Sequence, residues 1–82
     1  MSPEPAHKSP TDRLVMMANQ IGRAFAHGGE DNAAADTANH LRRFWDPRMR
    51  AAIVAYLEDG GGGLDPIARK AVQSLAQSDK PR

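Results

Sequence analysis

Three times between residues 9 and 66 a short polar residue stands directly before proline: Ser9-Pro10, Asp46-Pro47 and Asp65-Pro66. No other pattern limits the fold as much. The polar side chain can accept a hydrogen bond from the free amides of a first helical turn, and proline presets the backbone angle that turn requires. Proline also pushes the residue before it out of helical geometry, so each pair closes what precedes it and opens a helix. Between the pairs, apolar residues recur every three or four positions, without the alternation of a strand. The expected fold is all-α: a small four-helix bundle with flexible termini.

The first helix is expected over 10–27, with Asp12 near its positive end and Gly28-Gly29 as its stop. Leu14, Met17, Ala18, Ile21, Ala24 and Phe25 share its inner arc, and Asp12, Asn19, Arg23 and His27 lie opposite. The second, over 32–44, starts near Asp31 or Asn32 and is favoured by Ala33 to Ala35. Ala34, Ala38, Leu41 and Trp45 form its inner stripe with Phe44 at the flank. The third, over 47–58, turns Met49, Ala52, Ile53, Tyr56 and Leu57 inward and carries a second, small apolar face of Ala51, Val54 and Ala55. Gly60 to Gly63 read as a flexible connector to the fourth helix, over 65–76. That helix buries Leu64, Ile67, Ala68, Ala71, Val72 and Leu75, and turns Arg69, Lys70 and Gln73 outward. Trp45, Leu41, Ile21, Phe25, Ile53 and Leu57 are expected to be mutually buried. The organisation is a disordered lead over 1–9, a single helical domain over 10–76, and a flexible tail over 77–82.

Length limits what such a bundle can hold. With 82 residues, the chain buries only roughly 60–65% of its unfolded surface. Much of its apolar content is alanine, so the core is thin, and either the helices pack very well or a partner completes it. Cysteine is absent. Disulfides, thiolate catalysis and Cys-ligated clusters or zinc sites are therefore excluded. The polar start has no apolar signal region, and no stretch approaches the length of a membrane span, which favours a cytoplasmic location. A net charge of +1 gives no global argument for nucleic acid.

Catalytic constellations are sparse. His7, His27 and His40 are too widely spaced for a metal-binding helix motif, and His40 is better placed to pair with Asp36 four residues earlier. No serine lies in a nucleophile elbow. The carboxylates, Glu58 and Asp59 among them, gather at helix ends, where capping and dipole effects account for them. The glycine run lacks the Lys-Ser/Thr of a phosphate loop, and Asp65 would repel phosphate. No catalytic, cofactor-binding or metal-binding residue is assigned, and the chain is not read as an enzyme by itself.

The exceptional segment is Leu41-Arg42-Arg43-Phe44-Trp45-Asp46-Pro47-Arg48-Met49-Arg50. Four arginines against one aspartate give it a local charge of +3. Three readings compete. Phe44 and Trp45 can be core, with solvated arginines and Arg50 closing on Asp46. The arginines and tryptophan can bind nucleic acid through phosphate contacts and stacking. They can also anchor a protein interface, where Trp and Arg are enriched among the energetically dominant residues. The candidate partner-binding set is Arg42, Arg43, Trp45, Asp46, Arg48, Arg50, Ala51, Val54 and Ala55.

The same segment carries a resemblance. Leu14-Val15-x-Met17-Ala18-Asn19-Gln20-Ile21, Phe25, His40 to Arg50, and Gly63-Leu64-Asp65-Pro66 resemble the delta subunit of NAD-dependent formate dehydrogenase, over about Leu14 to Leu75. The resemblance implies a non-catalytic accessory subunit that docks on the complex and supports its assembly or stability. The implied partners are the catalytic alpha subunit, with the beta and gamma subunits as further candidates, and neither nucleic acid nor membrane. It also implies that the cofactors sit in those partners: a bis-pterin molybdenum or tungsten centre, iron–sulfur clusters, flavin (FMN) and NAD. The alternative is a small helical binding module, for protein or nucleic acid, acting outside a redox complex.

Overall fold

The structure, a computed structural model, describes residues 9–79; most of the expected lead (1–8) and the end of the expected tail (80–82) lie outside them. Four helices follow one another: α1 (Pro10–Phe25), α2 (Glu30–Phe44), α3 (Pro47–Glu58) and α4 (Pro66–Asp79). All three proline pairs open helices. Ser9 Oγ accepts from the Asp12 amide at 3.0 Å, and Asp46 Oδ1 from the Met49 amide at 2.9 Å. At the third pair, the Asp65 carbonyl accepts the first-turn bond from the Arg69 amide at 2.8 Å.

Some boundaries differ from expectation. α1 stops at Phe25 and tightens into a 3-10 turn over Ala26–Gly28, before Gly29 turns the chain at φ 93°. That turn lets α2 begin at Glu30, with Glu30 and Asp31 in its positive first turn. α4 continues to Asp79, three residues past the expected end at 76.

The core gathers Leu41, Trp45 and Ile53 with Leu14, Val15, Ala18, Leu64, Ala68, Val72 and Leu75. Ile21 and Leu57 pack against it half-buried. Phe25 does not join this cluster; it is half-buried, its ring edge-on to His40 at 6.3 Å. Phe44, expected at the core's flank, is 69% exposed. α1 is rotated from the expected arc: Val15 and Gly22 are buried, and Ala24 is exposed. Gly22 explains the rotation. A Cβ there would lie 3.1 Å from Ile67 Cγ2, so glycine permits α4 to approach on that side. Ile67 itself is half-buried. Val54, expected on the outer face of α3, packs against the core half-buried, while Ala51 and Ala55 remain exposed.

The glycine connector is held rather than loose. Gly60, Gly61 and Gly63 adopt positive φ, which side chains resist. Arg69, expected to face outward, donates to the Gly60 and Gly61 carbonyls at 3.3 and 2.8 Å. Tyr56 Oη donates to the Gly62 carbonyl. Asn19, expected on the far side of α1, donates to the Gly63 carbonyl at 2.9 Å and accepts from the Asp65 amide at 2.9 Å. Every carbonyl of the run therefore has a side-chain donor.

Surface pairs link α2 to α4. Lys70 Nζ lies 2.8 Å from Glu30 Oε2 and 2.9 Å from Asp31 Oδ1. The hydrogen bonds that Lys70 donates to those carboxylates hold its ammonium above its ordinary range, and Lys70 in turn lowers Asp31. The Asp31 contribution is complete above the ordinary carboxylate pKa and fades as pH falls through its lowered value. The Lys70 contribution is complete below its ordinary pKa and is lost as pH rises through its raised value. Both groups are at the surface, where solvent screening keeps such pairs weak.

Trp45 is 5% exposed at the junction of α2 and α3. Trp45→Ala should cost about 3–5 kcal/mol through lost burial and the cavity left behind. A urea melt of the full chain measures it, and a loss under about 1 kcal/mol would contradict a core role for this ring.

Candidate functional site

The charged segment builds the corner between α2 and α3. Proline at 47 ends α2, leaving the carbonyls of its last turn without helical donors. Arg50 reaches back from α3 to supply them. Its Nη1 donates to the Trp45 carbonyl at 2.6 Å and the Arg42 carbonyl at 3.3 Å. The carboxylate of Asp46 meanwhile caps α3 through Met49. Arg42 extends the corner toward α4. It donates to Asn39 Oδ1 at 3.2 Å, Ser74 Oγ at 3.3 Å and Ser78 Oγ at 2.9 Å.

The nine candidate residues thus divide by position. Trp45 is in the core; Arg42, Arg50 and Val54 are half-buried; Arg43, Asp46, Arg48, Ala51 and Ala55 are exposed. Arg43 and Arg48 leave the corner in the company of different neighbours. The Arg43 guanidinium lies 5.9 Å from the centre of the Phe44 ring. Phe44 packs on His40 at 4.7 Å, and His40 meets Phe25. A shallow cavity of about 310 Å³ lies among Phe25, Asp36, Asn39, His40, Arg43 and Phe44. Arg48 instead rims a depression of about 430 Å³ between α1 and α3, with Arg13 opposite and Leu14, Met17, Met49 and Ala52 below.

Sequence reasoning missed Phe44. The available signal is its spacing: His40 and Phe44 are four apart, so they stack along α2 on a line separate from Leu41 and Trp45. His40 also lies between two aromatic rings, where pairing with Asp36 alone was expected.

Glu58 and Asp59 stand at the C-terminal end of α3, its negative pole, where the dipole opposes them instead of accounting for them as expected.

Among the described residues no three His, Asp or Glu side chains gather to hold a metal ion, and the chain has no cysteine. No described helix is long and apolar enough to cross a membrane. Fold and corner together define a small helical bundle whose most distinctive surface is a rigid arginine-rich turn with an exposed phenylalanine. The chain belongs to the NADH-dependent formate dehydrogenase delta subunit family, FdsD, which it matches over residues 13–72. No curated protein and no solved structure matches the chain.

Arg50→Met keeps the stem of this side chain but removes the Nη1 donor of both bonds to the end of α2 and its cap. The expected destabilisation is about 1.5–3 kcal/mol, the range for a charge-assisted hydrogen bond. Chemical denaturation checks it; an unchanged midpoint would mean that the corner does not depend on Arg50.

Proposed function

We propose that this chain is a non-catalytic accessory subunit of a cytoplasmic NAD-dependent formate dehydrogenase complex, docking on the catalytic alpha subunit and supporting assembly or stability. Family membership supports the complex. The docking reading rests on one observation above all: Phe44 is 69% exposed within an otherwise well-packed corner. An aromatic ring ordered by His40 and covered on one side by Arg43 has the character of an interface anchor. The outward corner residues Arg43, Asp46 and Arg48, with Ala51 and Ala55 of α3, make the surface. Trp45, Arg42, Arg50 and Val54 support it from beneath.

A protein partner fits better than nucleic acid. Arg42 and Arg50 are engaged with groups of this chain, which leaves a corner with little phosphate-binding capacity. Redox chemistry belongs to the partner subunits on this reading. The bis-pterin molybdenum or tungsten centre, iron–sulfur clusters, flavin and NAD then all sit in those partners, and this chain has no cysteine to ligate a cluster.

The test is co-expression of a tagged chain with the alpha, beta and gamma subunits. Val54→Asp would disturb the core, so Phe44→Ala and Arg43→Glu are the informative variants. Phe44→Ala alters an exposed side chain and should change stability by less than about 0.5 kcal/mol, and Arg43→Glu, which reverses a favourable charge in the last turn of α2, by no more than about 1 kcal/mol. A central anchor worth about 2 kcal/mol corresponds to about thirtyfold weaker binding, and Phe44→Ala should lower recovery of the alpha subunit accordingly. Recovery of all subunits at the unmodified ratio by both variants would place docking on another surface.

A further inference from the structure

We infer that the α1/α3 face of this chain binds a second copy of the same chain, two α3 helices lying antiparallel across a two-fold axis. Three observations support the pairing, and it does not rest on the docking reading above.

The first is the charge order along α3. α1 and α2 follow the rule for helix ends: Asp12 then Arg23, and Glu30 and Asp31 then Arg42 and Arg43. α3 reverses it. Arg48 and Arg50 stand in its first turn, while Glu58 and Asp59 stand at its end. Each charge therefore faces the helix pole of its own sign, which is unfavourable within one molecule. Arg50 is accounted for by the α2 carbonyls. Arg48, Glu58 and Asp59 have no ion pair among the described residues.

The second is register. Arg48, Ala52, Ala55 and Asp59 follow spacings of four, three and four, and so form one line along the helix. The line maps onto itself when reversed. Antiparallel pairing about its midpoint sets Arg48 against Asp59 of the other copy and Ala52 against Ala55, then repeats both pairs in mirror order. A two-fold contact requires this kind of self-complementarity. Ala52, half-buried against the core yet open to both depressions beside it, and the exposed Ala55 allow the two backbones a close approach, near the lower end of the usual interaxial range of about 8–10 Å.

The third is the shape and charge of the surroundings. Two open depressions meet at Ala52. One, of about 430 Å³, is rimmed by Arg13 and Arg48. The other, of about 620 Å³, lies among Thr11, Ala55, Tyr56, Glu58 and Asp59. Together they form a trough that is cationic at one end and anionic at the other. Antiparallel pairing brings the cationic end of each copy over the anionic end of its partner.

A contact of this extent belongs with small, transient interfaces of under about 1,200 Å², so the dimer should form at micromolar concentrations and weaken with salt. Arg48 and Ala55 lie in both this face and the docking surface proposed above. Self-pairing and docking by that part of the surface then exclude one another on a given copy.

Sedimentation equilibrium of the isolated full chain, with no other subunit present, provides the test. The unmodified chain should show a concentration-dependent dimer mass. Arg48→Glu and Asp59→Arg should each weaken the dimer at least about tenfold, and the double variant should recover most of that loss because the pair is re-formed with its signs exchanged. Both reversals put the favoured charge sign at each end of α3, so loss of dimer in a single variant cannot be attributed to a weakened helix. Far-UV circular dichroism on the same samples verifies that the fold is intact. A chain that stays monomeric up to about 300 µM, well above the range for a transient contact, overturns the pairing. Single reversals without effect, or a double variant no better than the singles, overturn it too. None of these results bears on recovery of the alpha subunit, which stands or falls on Phe44 and Arg43.

Discussion

The corner at Asp46-Pro47 is the constraint on which the other contacts depend. Proline stops α2 and starts α3 within two residues, so the chain must turn while carbonyls of the last α2 turn lack partners. Arg50 bonds two of them from the far side of the turn. This guanidinium fixes the angle between the helices, and the angle sends Trp45 into the core beside Leu41 and Ile53. With Trp45 inward, its neighbour Phe44 must point away, about a quarter-turn around the helix. The exposed ring and the buried one thus follow from the same turn.

The starts of α1, α3 and α4 were legible because each is written in two adjacent residues, whereas α2 has no such pair and begins at Glu30 only because the chain tightens and turns at Gly29. The core positions of α2 and α4 were legible too, since Leu41, Trp45, Ala68, Val72 and Leu75 follow simple helical spacing. Rotation of α1 was not. It is decided by how closely α4 approaches at Gly22, and a missing side chain leaves no apolar mark on a helical wheel. Asn19 shows the same limit. Its polarity suggests solvent, yet its partners are Gly63 and Asp65, more than forty residues away in sequence. The candidate site divided in a similar way. That the arginines around residue 46 are concentrated is plain from sequence, but which of them serve the fold is settled only by where Ser74, Ser78 and the α2 carbonyls end up.

The chain has no thiol, and its described residues gather no metal-ligating cluster. Its more elaborate polar contacts shape backbone: Arg50 at the corner, Arg42 across to α4, and Asn19, Tyr56 and Arg69 around the glycines. With so small a core, these contacts do much to define relative helix positions, and hence which side chains a partner subunit would meet.

The glycine connector also has a consequence for the order in which the molecule assembles. Its carbonyls are held by side chains from three helices: Asn19 on α1, Tyr56 on α3 and Arg69 on α4. Tyr56 and Arg69 are close in sequence and can engage early, once a local α3–α4 hairpin exists. Asn19 cannot; its bond to Gly63 closes a loop spanning 44 residues and must await arrival of α1. Four consecutive glycines have the largest backbone entropy to lose, and that loss is complete only when the most distant partner is in place. The Gly63 end of the connector is therefore among the last parts of the chain to become fixed during folding, and the Asp65 amide, which donates to Asn19, should exchange with solvent until α1 has docked.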